Sequence, residues 1–364
     1  MCIRAGMKFG ILYNVEYHPE IHGSPSQYYE HILDQIQLEE ELGYDAVWFG
    51  EHHYSGYSFG SPPLMAMAAA ARTKRIRLGT GVSLVPLHHP IRLAEEYAML
   101  DVLSQGRLEY GIGRGFIKYA YEVFGVDEDE NVRRYREGTD LLVKAWLADA
   151  PFSYQGEFYT LQDYSFFPKP RQQPHPPIYA AGAVTPESYE WAGSRGFHLA
   201  TAFFIPDREA VRQGIAAYRR ALTDNGYDPT QREIAGVYQM YCGETNQEAH
   251  RHGGQHVFDY YHFFGSLALR RPHTSPSFDR HKVMLEGFAG VTYDDLDSRN
   301  LILIGDPDNL IERIRWAQEF YGTTYLLLEV AQGGMQPEHV VASLERFAKY
   351  VMPAFRNGQE EGRA

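Results

Sequence analysis

Apolar residues along this chain recur at two alternating spacings. Met7–Tyr13 is a short apolar run of strand type, and Ser26–Leu42 carries its apolar residues at helical spacing. Ser24-Pro25-Ser26 supplies helix-start chemistry and Gly43 a stop. The pattern then repeats as strand Asp45–Gly50, alanine-rich helix Pro63–Thr73, strand Ile76–Val85, helix Pro90–Leu103, strand Arg107–Gly113 and helix Asn131–Ala148. It resumes with strand Ile178–Ala181, helix Pro186–Arg195, strand His198–Ala202, helix Asp207–Asn225, strand Glu233–Cys242 and helical Asn246–Phe264. Asp306-Pro307 opens another helix, Thr324–Val330 is the last strand, and Pro337–Phe355 closes the chain.

Two stretches break the rhythm. Pro151–Pro177 is rich in aromatics and proline and predicts a small hairpin, with a strand at Glu157–Leu161, followed by an irregular loop. Leu269–Ser298 is polar and contains histidines. Eight strands, each followed by helix, predict a parallel sheet with helices outside, and at 364 residues a closed (β/α)₈ barrel in one domain, residues 1–364, with excursions at 151–177 and 269–298. An open doubly wound sheet with a second domain is the alternative. The barrel places reacting groups at the carboxyl ends of the strands.

Composition adds exclusions. With 34 Lys+Arg against 47 Asp+Glu, the net charge of −13 offers no general attraction to nucleic acid or anionic lipid. No apolar run has the length of a membrane span, and the first residues lack a secretory apolar core, so a cytoplasmic protein is expected. Cys2 and Cys242 are too few for a disulfide framework or a four-cysteine zinc site.

The strand ends collect polar and flexible residues. Strand two ends in Glu51-His52-His53-Tyr54, and strand four in Gly111-Ile112-Gly113-Arg114-Gly115. His and Glu are common metal ligands, but adjacent strand residues point to opposite faces, so His52 and His53 make poor joint ligands and no metal is expected. The other chemistry open to one of these imidazoles is that of a general base or donor beside an organic cofactor. A histidine merely packed near a strand end is the bland reading. Gly182 and Thr185-Pro186 with Ser188 form a helix start whose free amides favour a phosphate, and the Arg114 guanidinium could clamp one bidentately. The glycines around Arg114 lack dinucleotide spacing, and no helix opens immediately after them.

Together these segments resemble the bacterial luciferase-like, flavin-dependent monooxygenase family, and are closest to its luciferase alpha-chain pattern. The likeness runs from Lys8-Phe9-Gly10 through Gly43–Trp48, Glu51-His52-His53, His89–Glu95, Leu103–Arg107, Phe124-Gly125 and Glu190-Trp191-Ala192 to Val351-Met352-Pro353. It implies a barrel that binds reduced FMN, adds oxygen to give a C4a-peroxyflavin and oxygenates a hydrophobic small molecule, with a separate NAD(P)H:flavin reductase supplying electrons. His52 matches the family's catalytic histidine and Arg114 a phosphate-binding arginine. Gly81-Val82 matches a cis peptide beside the flavin ring, and Gly182, Ala183, Val184 and Ser188 the remaining phosphate contacts. The second phosphate arginine falls among Arg133, Arg134 and Arg136, with Arg133 favoured. Gly113 stands where luciferase alpha chains carry a reactive cysteine, and Leu269–Ser298 corresponds to the family's mobile active-site loop while sharing little with it. Tyr13, Tyr54 and Phe116 are candidate substrate-pocket residues, and with Tyr57, Phe59 and Phe204 could cover the site against water. The family usually dimerises through early barrel helices, here Met65–Ala71, which implies a homodimer. The rivals are a deazaflavin F420-dependent oxidoreductase of the same superfamily, a barrel hydrolase using a metal or the carboxylates Glu51 and Glu329, and a flavin-binding subunit without chemistry of its own.

Overall fold

A computed structural model describes residues 6–53, 57–269 and 272–356. Eight parallel strands close into a barrel: β1 (Lys8–Tyr13), β2 (Ala46–Phe49), β3 (Arg77–Thr80), β4 (Leu108–Gly113), β5 (Ile178–Ala181), β6 (His198–Ala202), β7 (Ile234–Cys242) and β8 (Tyr325–Glu329). Each pairs with its neighbour in sequence, and β8 returns to β1 with Gly10 opposite Leu327. This excludes the open sheet. Helices α1 (Pro25–Leu42), α2 (Pro62–Arg72), α3 (Pro90–Leu103), α4 (Asn131–Leu147), α5 (Pro186–Ser194), α6 (Arg208–Asp224), α7 (Pro307–Tyr321) and α8 (Pro337–Arg346) follow the strands in turn.

Local chemistry sets the helix limits. Ser24 and Gln27 form a reciprocal capping box at the start of α1, and Gly43 ends it with a φ of 86°. Successive strand residues face opposite ways, so Leu12, Trp48, Tyr179, Ala200, Ala235 and Tyr325 fill the barrel interior while their neighbours pack under the helices. The barrel floor is a polar plug. The Trp48 indole donates to Glu109 Oε2 at 3.1 Å and the Tyr325 hydroxyl to the same oxygen at 3.0 Å, while Arg77 Nε reaches Glu109 Oε1 at 2.7 Å. A Cβ on Gly79 would stand 2.4 Å from the indole, so glycine makes the room Trp48 needs.

Three expectations are revised. The run Ile76–Val85 is two pieces: β3 ends at Thr80, whose hydroxyl donates to Gly111 O at 2.7 Å and accepts from Gly111 N at 3.0 Å. Beyond a cis Gly81–Val82 peptide, Ser83–Leu84 rejoins β4. The excursion does hold a hairpin, but its strands are Phe152–Gln155 and Thr160–Tyr164. Residues 157–159 are drawn into its turn by the Glu137 carboxylate, which accepts from their amides at 3.1–3.2 Å. The polar segment 269–298 contains two helices, Asp279–Ala289 and Tyr293–Ser298.

Tyr13 belongs to the outer layer and not to the cavity. Alternation turns Leu12 inward, and Tyr13 reaches under α1 to donate to Glu39 Oε1 at 2.7 Å. Gln35 Nε2 donates to the same oxygen at 3.0 Å, and Glu39 Oε2 has no partner among the described residues. Burial, only partly offset by these two bonds, raises the Glu39 pKa to about 8. The folded protein thus keeps a proton that the unfolded chain releases near pH 4.5. Unfolding free energy therefore falls as pH climbs through that interval. Glu39→Gln removes the slope. Thermal melts should show the variant gaining on wild type between pH 5 and pH 9, by on the order of a few kcal/mol.

Candidate active site

A cavity opens at the carboxyl end of the barrel, and every strand contributes to its wall. Leu12 and Asn14 come from the end of β1, Glu51–His53 follow β2, and Gly81 and Val82 follow β3. Gly113–Phe116 continue β4, Ala181–Ala183 end β5, and Thr201, Val237 and Glu329 close the circle. The wall is mainly apolar, with Leu12, Trp48, Val82, Ile117 and Leu327 around its depth. Such a lining suits a large, flat organic ligand.

One side of the mouth carries a proton-handling cluster. The His52 ring packs 4.7 Å from Tyr57 and 6.4 Å from Phe116, and its nitrogens have no hydrogen-bond partner among the described residues. Burial pushes its pKa down to about 4, partly against the pull of Glu51, so the imidazole is neutral at ordinary pH. Glu51 is a buried hub. Its Oε1 lies 2.9 Å from His53 Nε2 and 2.5 Å from His88 Nε2, and its Oε2 accepts from Leu84 N at 2.9 Å. Burial works to raise the Glu51 pKa, but these bonds outweigh it and hold it at about 2. The same carboxylate more than offsets burial at His88 and raises that imidazole. The ligand atoms of Glu51, His53 and His88 lie within 4.8 Å of one another, a spacing that would admit a metal ion. His88 enters this group from 37 residues away, so sequence spacing did not reveal it. As arranged, the three form one hydrogen-bonded unit that pins Leu84, just past the Gly81–Val82 bond, to the mouth.

At the end of β8, two strands round the barrel from β2, Glu329 accepts from Asn14 Nδ2 at 2.8 Å and Gln239 Nε2 at 2.7 Å. Burial, partly offset by these amides, raises it to about 7. Here is a carboxyl that can hold or release a proton near neutrality.

The other side of the mouth is cationic. Arg114 is largely buried, and its Nη1 donates to Asn131 Oδ1 at 2.8 Å. Among the described residues no carboxylate forms an ion pair with it. Burial lowers its pKa, yet a guanidinium does not lose its proton in proteins. Facing it is the start of α5. Thr185 gives the α5 amides no side-chain cap, because its hydroxyl bonds the Ser188 hydroxyl at 2.6 Å. A buried cation beside a helix start that lacks a side-chain cap is a seat for an anion, although Pro186 has no N–H and Ser188 N already donates to Thr185 O at 3.0 Å.

Most expected residues meet at this cavity: His52, Gly81, Val82, Arg114, Phe116, Gly182, Ala183 and Ser188 line it, and so does Phe204 from the expected cover. Val184 stands beside them in the α5 entry but does not line the wall. The Gly81–Val82 peptide is cis, as the resemblance implied. Tyr54 lies outside the described residues. Arg133 points away: it pairs with Glu157 of the hairpin and stacks over Phe158. Arg134 pairs with Glu130, and only Arg136 of the three acts electrostatically on Arg114. Tyr57 is buried with its hydroxyl 2.6 Å from that of Tyr260, and Phe59 packs against Phe49. Asn14, Asn131, His281 and Met284 were missed. Asn14 was legible, since it follows β1 as Glu51 follows β2, whereas nothing local marks the other three.

Fold and site define a class: a (β/α)₈-barrel enzyme with its cavity at the carboxyl ends of the strands. The luciferase-like monooxygenase family model matches residues 7–324, and the chain belongs to that family of flavin-dependent monooxygenases. It is 30% identical to the oxygenase component of the flavin-dependent trigonelline monooxygenase of Acinetobacter baylyi, over 93% of this chain and 92% of that protein. Among solved structures it is similar to the monooxygenase RslO1 of Streptomyces bottropensis, with a TM-score of 0.83 and 31% identity over 95% of this chain and 99% of the other. The oxygenating constituent of the Pseudomonas putida 3,6-diketocamphane monooxygenase, a type II Baeyer-Villiger enzyme solved with FMN, shares the fold. Its TM-score is 0.78 at 22% identity, covering 96% of this chain and 98% of that one. No helix among the described residues is long and apolar enough to cross a membrane.

Proposed function

We propose that this protein is the oxygenase component of a two-component system, taking reduced FMN from a separate NAD(P)H-dependent reductase and using O₂ to oxygenate a hydrophobic small molecule. The observation that carries this reading is the buried Arg114, without an ion-paired carboxylate among the described residues, in the wall of an apolar cavity that a neutral histidine also lines. The residues fit the cofactor. Arg114, the Ser188 hydroxyl and the start of α5 would hold its phosphate, and the space beside Val82 and the apolar wall its ring system. Bound reduced flavin supplies the two electrons that oxygen activation requires.

The chain's own groups do the rest. Neutral His52 can accept a proton or donate a hydrogen bond at the ring end, with Tyr57 and Phe116 fixing its plane. Glu51 acts on the frame, holding His53, His88 and Leu84 in register. Glu329 offers a second site for a proton on the substrate side. Phe116, Phe204 and Met284 exclude water from the space between. The apolar wall supports a hydrophobic substrate.

A homodimer belongs to the same proposal, on a different footing from the one the sequence suggested. Ala66, Ala69 and Ala70 of α2 pack on their own barrel, whereas Leu64 of α2 and Met99 and Leu103 of α3 are exposed at 72%, 50% and 56%. Light scattering on the purified protein checks the mass.

The decisive measurement is an anaerobic titration with reduced FMN and reduced deazaflavin, followed by oxygen uptake with NADH in the presence and absence of added flavin reductase. The expected result is tighter binding of FMN and oxygen uptake that depends on the reductase. No uptake of flavin in either redox state, or preference for the deazaflavin, overturns the proposal.

A further inference from the structure

The segment 272–289 lies over the cavity, and its anchors gather at the cationic side. Glu128, at the approach to α4, accepts from Thr274 N at 2.8 Å and Ser275 N at 3.0 Å, and its Oε2 lies 2.6 Å from His273 Nδ1. His273 Nε2 donates to Phe116 O at 2.9 Å, and its ring stacks on Phe278 at 3.6 Å. Asn131, which receives the Arg114 hydrogen bond, in turn donates to Ser277 Oγ at 2.7 Å. The Phe278 ring lies 5.9 Å from the Arg114 guanidinium. Apart from the internal His273–Phe278 stack, these contacts tie the segment to residues 114–131 around Arg114.

His281, one turn further on, lines the cavity and is only 8% exposed. Its Nδ1 is buried with no hydrogen-bond partner among the described residues, although buried polar atoms are nearly always satisfied. Burial lowers its pKa to about 3, and the neighbouring Arg114 and His273 push it further the same way. An imidazole and a guanidinium thus face one space with no carboxylate paired to either among the described residues. An anion between them would pair with the guanidinium and accept a hydrogen bond from the imidazole N–H, giving Nδ1 the partner it lacks.

We infer that His281 is a ligand for the phosphate monoester of the bound cofactor, completing from the covering helix Asp279–Ala289 the seat that Arg114 and the start of α5 form on the barrel. The inference rests on the functional reading above. It gives the covering segment a specific role. The barrel and the cover grip the same anion, so cofactor binding and cover packing reinforce each other.

The test compares FMN with riboflavin, which lacks the phosphate, by fluorescence titration of wild type, His281→Leu and His281→Gln. Wild type should prefer FMN. His281→Leu should cut that preference about tenfold, the scale of one charge-assisted hydrogen bond, and leave riboflavin affinity within about twofold. His281→Gln keeps a donor and should recover part of the preference, and it decides the matter if the leucine variant does not fold. An unchanged preference in both variants overturns the role of His281 alone. So does an equal loss for both flavins, which marks a packing residue. A wild-type protein that takes up neither flavin overturns the functional reading itself.

Discussion

His52→Ala is expected to lower product formation by roughly 10²- to 10⁴-fold, the range supplied by one positioned acid–base group, while FMN affinity stays within about threefold of wild type by the same division of roles. The division follows from the geometry. His52 lines the cavity from the end of β2 and Arg114 from the end of β4, and neither ring nitrogen of His52 is committed to another described residue. Its pKa of about 4 keeps it neutral, so it is available as an acceptor without prior loss of a proton. Oxygen uptake should persist in the variant with the electrons appearing as hydrogen peroxide. Measuring substrate oxygenation and peroxide together under identical turnover separates loss of coupling from loss of binding. Unchanged coupled turnover would remove His52 from the mechanism.

Arg114→Met acts on the proposed phosphate seat. Truncating one member of a buried, hydrogen-bonded charge pair costs about 2–5 kcal/mol, so FMN affinity should fall by roughly 30-fold or more, with riboflavin affinity little changed. The apoprotein should respond in the opposite direction. Arg114 is largely buried with no ion-paired carboxylate among the described residues: Glu187 acts on it only electrostatically, and its side chain donates to the neutral Asn131. Replacing it with an apolar side chain of similar length relieves that desolvation. The melting temperature without flavin should therefore hold or rise in the variant, while the stabilisation produced by added FMN largely disappears. A parallel loss of FMN and riboflavin binding would mean that Arg114 supports the cavity wall and does not grip an anion.

Much of this was legible in residue order. The capping box of α1 needs only Ser24 and Gln27, three residues apart, and the stop at Gly43 needs only a residue free to take a positive φ. Once strands and helices are counted, barrel closure follows, and with it the placing of His52, Arg114 and Gly182 at strand ends on a common mouth. Tyr13 was misplaced through phase alone: a period of two sends it outward if Leu12 points in. Arg133 was misplaced for a different reason. Its partner Glu157 belongs to a hairpin whose return beside α4 has no local signature.

The chain's periodicity and caps by themselves determined the order of the elements, the parallel barrel and which strand ends carry chemistry, because each depends on residues within a turn or two of one another. Only the tertiary structure decided who meets whom across the mouth. His88 reaches Glu51 over 37 positions, Asn131 joins Arg114 to Ser277 over 146, and His281 descends from the cover onto the cationic wall. Those contacts come from closing the barrel and packing a segment over its opening. Proximity of that kind is set by the shape of the whole core, which no local spacing encodes.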